Sequence, residues 1–108
     1  MRRAARRDAN HALIRDALRH LGYTVADTAS LGNGFPDLVA HDGHHVLLVE
    51  VKDPQKPASA RKLTRDERAF VAAWAPFAIV VHYTDEVIRA FEAMQQQRGP
   101  GSDPEAAR

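Results

Sequence analysis

The chain has 108 residues, a formal net charge of +1, 44% hydrophobic and 27% charged residues, and no cysteine. That size and balance fit one globular domain and leave little room for a second. The missing thiols exclude disulfides and thiolate metal sites, and no apolar run approaches the roughly 20 residues of a membrane helix, so a cytoplasmic setting is expected.

The chain opens with a basic arm over residues 1–7, carrying Arg2, Arg3, Arg6 and Arg7, with no apolar signal core behind it. A first helix is predicted over residues 8–21, where Leu13, Ile14, Ala17, Leu18 and Leu21 make one apolar stripe and Gly22 ends it. Residues 23–28 read as a short strand. Residues 30–36, Ser-Leu-Gly-Asn-Gly-Phe-Pro, read as a loop. They lack the Lys-Ser/Thr of a nucleotide-binding P-loop, so no nucleotide cofactor is expected. Ser30 could touch a phosphate or simply form the loop.

Residues 37–41 and 45–52 read as two strands, and Asp42-Gly43 between them is a two-residue hairpin signal. The longer strand is apolar on both faces for most of its length, as in the middle of a covered sheet. Residues 53–62 read as a polar loop. Thr64 and Glu67 fit a capping box opening a second helix, with Ala69, Phe70, Ala73 and Trp74 as its buried face and Pro76 as its stop. Phe70 and Trp74 read as core. Residues 77–83 are a second apolar strand. Thr84 can cap a third helix, whose inner stripe is Val87, Ile88, Phe91 and Met94. A disordered tail is expected over residues 95–108, leaving a domain over residues 8–94. The fold class predicted is α/β, a mixed central β-sheet flanked by helices in the order αβββαβα, with antiparallel first strands and a right-handed parallel crossover to the last.

Glu50 and Lys52 end an otherwise apolar strand and share one face, because strand side chains repeat every two residues. Ionised groups on a covered strand are costly unless they are paired or bind a cation. Asp37 follows by parity. A two-residue loop at Asp42-Gly43 sets Asp37 against Leu48, one diagonal step from Glu50 on the same face. A four-residue loop sets it directly opposite Glu50, whereas a three-residue loop or a bulge would separate the two.

Two carboxylates and a lysine on one patch suit metal-assisted phosphodiester cleavage. Asp37 and Glu50 supply hard oxygen ligands for Mg²⁺, with Mn²⁺ as a substitute, and the Val51 carbonyl could add another. Lys52 can orient or help deprotonate the attacking water, or stabilise developing negative charge. The plainer alternative is an ion pair at a strand end with Asp37 capping a turn. His41, His44 and His45 flank the hairpin and could bind zinc, but no fourth ligand is evident, and they read as turn residues. His11, His20 and His82 read as surface or partly buried. Lys56, Arg61, Lys62 and Arg65, with the arm arginines, are candidate contacts for a DNA backbone.

Pro36-Asp37 followed by Glu50-Val51-Lys52 resembles the signature of the PD-(D/E)XK nuclease superfamily. Leu63-Thr64 opening a helix that ends near Trp74, then an apolar strand, resembles its VRR-NUC branch. Phage-type and archaeal-type Holliday junction resolvases share the plan. The resemblance spans residues 8–94. It implies a restriction-endonuclease-like core and a Mg²⁺-dependent endonuclease with Asp37, Glu50 and Lys52 as catalytic residues. It also implies a DNA substrate that can be branched, a homodimer, and a role in DNA recombination or repair in a phage or prokaryote. Many members add an acid from the first helix. The first glutamate here is Glu50, so Asp8 and Asp16 are the candidates for that contribution, with Asn10 and His11 as weaker ones. The VRR-NUC branch often carries Gln early in the second helix, near where Glu67 stands.

Overall fold

A computed structural model describes residues 8–102. The arm arginines Arg2, Arg3, Arg6 and Arg7 and residues 103–108 lie outside the described residues. The fold is mixed α/β, a four-stranded mixed sheet flanked by helices. Its elements are α1 (His11–His20), β1 (Thr24–Asp27), a 3-10 turn (Ala29–Leu31), β2 (Leu38–His41), β3 (Val46–Val51), α2 (Ala58–Arg61), α3 (Arg65–Trp74), β4 (Ala78–Val81) and α4 (Thr84–Ser102). The strands lie in sequence order, β1-β2-β3-β4. The first two pairings are antiparallel, and β3 pairs with β4 in parallel across α3.

The β2–β3 register sets His41 against Val46 and Leu38 against Val49. The hairpin loop is therefore residues 42–45, four residues rather than two. Asp42 explains the longer loop: its Oδ1 accepts from the backbone N–H groups of His44 and His45 at 2.9 and 2.7 Å. This carboxylate-capped turn replaces the tight Asp-Gly turn. His44 and His45 lie in this turn, whereas His41, expected with them, is the last residue of β2.

Alternation gives each strand two faces. Leu38 and Ala40 of β2, Leu47, Val49 and Val51 of β3, and Val81 of β4 pack under Ile14 and Leu18 of α1 and Val87 and Met94 of α4. Tyr23 closes this core, edge-on to Phe91 at 6.1 Å and with its hydroxyl on Met94 Sδ. The opposite face carries Val39, Leu48 and Glu50 and has α3 beside β4 as its cover.

Four expectations are corrected. No residue of α3 is buried: Phe70 is half-buried and stacks on Trp74 at 5.4 Å, and Trp74 is 50% exposed. The helix contacts β4 and the Phe35 ring, too narrow a surface to enclose its apolar side. Leu13 is 63% exposed and lines a cleft of about 430 Å³ with Pro54 and Tyr83. Ile14 and Leu18 alone carry the buried apolar stripe of α1. The 53–62 loop contains the short α2, started where the Ala60 N–H donates to the Pro57 carbonyl. The expected tail is helical through Ser102: Gln95, Gln96, Gln97 and Arg98 are good helix formers that favour extending α4, whereas Gly99, Pro100 and Gly101 at its end are not. None of the described helices is long and apolar enough to cross a membrane.

Candidate active site

The observed register, carried one step past Leu38–Val49, puts Asp37 directly opposite Glu50 on the face away from the apolar core. Asp37 is fixed from both sides. Its Oδ2 accepts the Val51 backbone N–H at 2.8 Å, and its carbonyl accepts the Thr28 N–H at 2.8 Å. Thr28 Oγ1 also donates to the Pro36 carbonyl. Thus β1, the loop before β2 and the end of β3 together set the position of one carboxylate.

Asp37, Glu50, Val51, Lys52, Glu67 and Asp8 line one polar cavity of about 130 Å³. The predicted trio is brought together, with the Val51 backbone beside it. Glu50 is 4% exposed and Lys52 is nearly as buried. Lys52 Nζ lies 2.8 Å from Glu67 Oε1 and 3.7 Å from Glu50 Oε2.

Glu67 holds two positions at once. Its Oε1 accepts the Thr64 N–H at 2.8 Å while Thr64 Oγ1 accepts the Glu67 N–H, completing the predicted capping box. The same oxygen takes the Lys52 ammonium. The first turn of α3 is held close by the glycine loop. Gly34 has φ +83°, and a Cβ there would lie 2.6 Å from the Asp66 carbonyl carbon. Only a residue without a side chain lets the loop before Asp37 and the start of α3 approach so closely.

The first-helix candidates separate. Asp8 lines the cavity, whereas Asn10 and His11 do not. Asn10 Nδ2 donates to the carbonyls of Lys52 and His82 at 3.0 and 2.8 Å, tying the start of α1 to the ends of β3 and β4. Among the described residues, its buried Oδ1 has no hydrogen-bond partner. His11, expected near the surface, is buried, with Nε2 3.0 Å from Asp27 Oδ2. The candidate DNA contacts Ser30, Arg61, Lys62 and Arg65 are exposed, and Lys56 is half-buried on Asp8.

Crowded, buried acids change their proton affinities. Burial, then the charges of Asp37 and Glu67, pushes the Glu50 carboxyl up from 4.5 to about 9. Burial also raises Asp37, against the opposing hydrogen bonds from Val51 and Glu50 and the nearby His11. For Lys52, burial favours the neutral amine. The Glu67 hydrogen bond and the charges of Glu67, Glu50 and Asp37 outweigh it and hold the ammonium above its ordinary range. Burial would raise Glu67, but the hydrogen bonds from Lys52 and Thr64 and the Lys52 charge bring it below its ordinary range.

Among the described residues, no group of three or more His, Cys, Asp and Glu side chains is arranged to hold a metal ion as it stands. Of the four carboxylates around the cavity, Glu67 and Asp8 are each held by an ammonium at hydrogen-bond distance, from Lys52 and Lys56, and Glu50 lies 3.7 Å from the Lys52 ammonium. Asp37 and Glu50 remain as oxygen donors of the kind Mg²⁺ takes, with waters completing its shell. Burial first, and then the charges of Asp37 and Glu67, disfavour the ionised Glu50 carboxylate, and a divalent cation beside it would favour that form.

The second role of Glu67 and the pairing of Lys56 are not legible in the sequence. Both partners lie far along the chain, 15 residues for Lys52–Glu67 and 48 for Asp8–Lys56. No local motif spans such separations. No protein-family model, curated protein or solved structure matches the chain.

Proposed function

We propose that this chain is a Mg²⁺- or Mn²⁺-dependent DNA endonuclease built on a restriction-endonuclease-like core. The carrying observation is that Asp37, Glu50 and Lys52 line one cavity on one sheet face, with the carboxylates opposed across the β2–β3 ladder. The likeness of Pro36-Asp37 and Glu50-Val51-Lys52 to the PD-(D/E)XK signature supports the same reading.

Asp37 and Glu50 would hold the ion, with the Val51 carbonyl beside them. When bound, such an ion lowers the pKa of a coordinated water and neutralises phosphate charge. Lys52, held as an ammonium by Glu67, is suited to stabilising the developing negative charge rather than to taking a proton. Glu67 positions Lys52 and does not itself touch the reacting atoms. Exposed Arg61, Lys62 and Arg65, with the arm arginines, would meet the strand backbone. Contacts of that kind select DNA by shape rather than by base sequence. A branched substrate such as a Holliday junction suits this mode, and cutting one symmetrically would need a homodimer. Nicking or flap cleavage is the nearest enzymatic rival.

A second reading, a DNA-binding or assembly module without cleavage, is favoured by the capture of Glu67 and Asp8 by lysines. Cleavage of duplex, single-stranded, flap and four-way-junction DNA in Mg²⁺, Mn²⁺ or EDTA separates the two. Cutting that needs metal and falls by about 10²–10³-fold in Asp37→Ala and Lys52→Ala is expected. Salt-sensitive DNA binding with no cutting under any metal condition would select the second reading.

A further inference from the structure

Asp8 lies just before α1, and its carboxylate closes the cavity that holds Asp37, Glu50 and Glu67. It is occupied: Lys56 Nζ lies 2.6 Å from Asp8 Oδ1. The two partners differ in exposure, 17% for the Asp8 side chain and 40% for Lys56. The carboxylate faces inward, and the ammonium reaches it from the solvent side. The Lys56 backbone is pinned, because its N–H donates to the Asp53 carbonyl at 3.2 Å and its carbonyl accepts from Arg61 Nε at 2.8 Å. Only the four-carbon stem can swing, and it carries a compact charge able to pair with a carboxylate or a phosphate. A half-exposed ion pair is weak enough to exchange partners. Exposed Arg61 and Lys62 beside it would bring a strand backbone within reach of the same ammonium.

Building on the nuclease reading, we propose that Lys56 is a substrate-sensitive latch on Asp8. Its ammonium fills a cation position at the cavity until a phosphodiester of a bound DNA strand draws it away. Asp8 is then free to join Asp37 and Glu50 as a third oxygen ligand for the divalent ion. The latch would keep the ion weakly held until DNA is present.

The test is calorimetric titration of the full-length chain with Mn²⁺ in the absence of DNA, for wild type, Lys56→Met, Lys56→Arg, Asp8→Asn and the Asp8→Asn/Lys56→Met pair. Lys56→Met should bind Mn²⁺ roughly three- to tenfold more tightly than wild type. Lys56→Arg, which keeps the charge, should resemble wild type. The gain should vanish in the Asp8→Asn background, because the two residues act as one unit. An equal gain in both backgrounds would reduce Lys56 to a diffuse repulsive charge and overturn the latch, as would no gain at all. With Ca²⁺ as the ion, a short DNA duplex should tighten ion binding in wild type and leave Lys56→Met unchanged. An equal tightening in both would also overturn the latch. Wild type that binds Mn²⁺ and cuts DNA while Lys56→Met gains nothing removes the latch alone. If no variant binds Mn²⁺ and wild type does not cut, the nuclease reading falls and the latch with it.

Discussion

Leu47, Val49 and Val51 on one face of β3 are sealed under α1 and α4, whereas Leu48, Glu50 and Lys52 on the other face a single helix and a polar cavity. Both rows have lost most of their water. The first exchanged it for apolar neighbours, which stabilises the fold. The second buries two ionisable side chains that apolar contact cannot satisfy, and it answers with a network running from Asp37 through Glu50 and Lys52 to Glu67. One strand thus separates the face that holds the chain together from the face that carries the candidate site. The polar face is also the less well covered, since Trp74 and Val46 remain about half exposed there.

Truncation is the largest test of that asymmetry. Leu47 is fully buried, and Leu47→Ala should cost about 3 kcal/mol of unfolding free energy. Half-exposed Trp74 has less to lose, and Trp74→Ala should cost about 1 kcal/mol. Urea denaturation of the two variants checks this. Equal losses would mean that α3 seals its face as tightly as α1 and α4 seal theirs.

Gly34 sharpens the comparison, because it joins the two elements that frame the polar face. Gly34→Ala forces a side chain onto the Asp66 backbone at a positive φ and should cost about 2 kcal/mol. Moving the first turn of α3 also moves Glu67 and releases Lys52, so the proposed cleavage, measured per folded molecule, should fall as well. Gly32 has a positive φ but open space around it. Gly32→Ala should cost about 1 kcal/mol and leave cleavage unchanged. If Gly34→Ala lowers stability alone, the loop contact does not position the site.

The smallest effect concerns pH. Glu50 binds its proton more tightly in the folded chain than in the unfolded one, because burial and two neighbouring carboxylates hold its carboxyl at about 9. The folded state therefore keeps a proton that the unfolded state releases above about 4.5, and stability falls as pH rises from there toward about 9. Glu50→Gln imitates the protonated form. In metal-free buffer it should gain on the order of 1–2 kcal/mol at pH 8 and nothing near pH 4. Thermal melts of both proteins across that range decide it. A constant difference between them would show that the Glu50 proton is not what the buried site responds to.

Much of the fold was readable because its signals are local. The stripe of Ile14 and Leu18, the apolar run before Glu50 and the Thr64–Glu67 capping box each lie within one element. The spacing of Glu50 and Lys52 needed only the two-residue repeat of a strand. The position of Asp37 was half readable: parity confined it to the correct face, and the register depended on how Asp42 folds back onto His44 and His45. His11 was misread as near-surface because its partner, Asp27, belongs to a different element. The burial of α3 was overestimated, because an apolar stripe declares what a helix can bury and not how much sheet stands opposite it.

The sequence alone determined the four strands, the three longer helices and the face that Asp37, Glu50 and Lys52 share, but not α2, the 3-10 turn or the length of α4, since backbone periodicity and turn chemistry act between near neighbours. Only the tertiary structure decided that Asp37 stands directly opposite Glu50, that Glu67 takes Lys52 and that Lys56 takes Asp8. Those pairings join residues far apart in the chain, and they form because buried charge has to find a partner in whatever surface the packing brings to it.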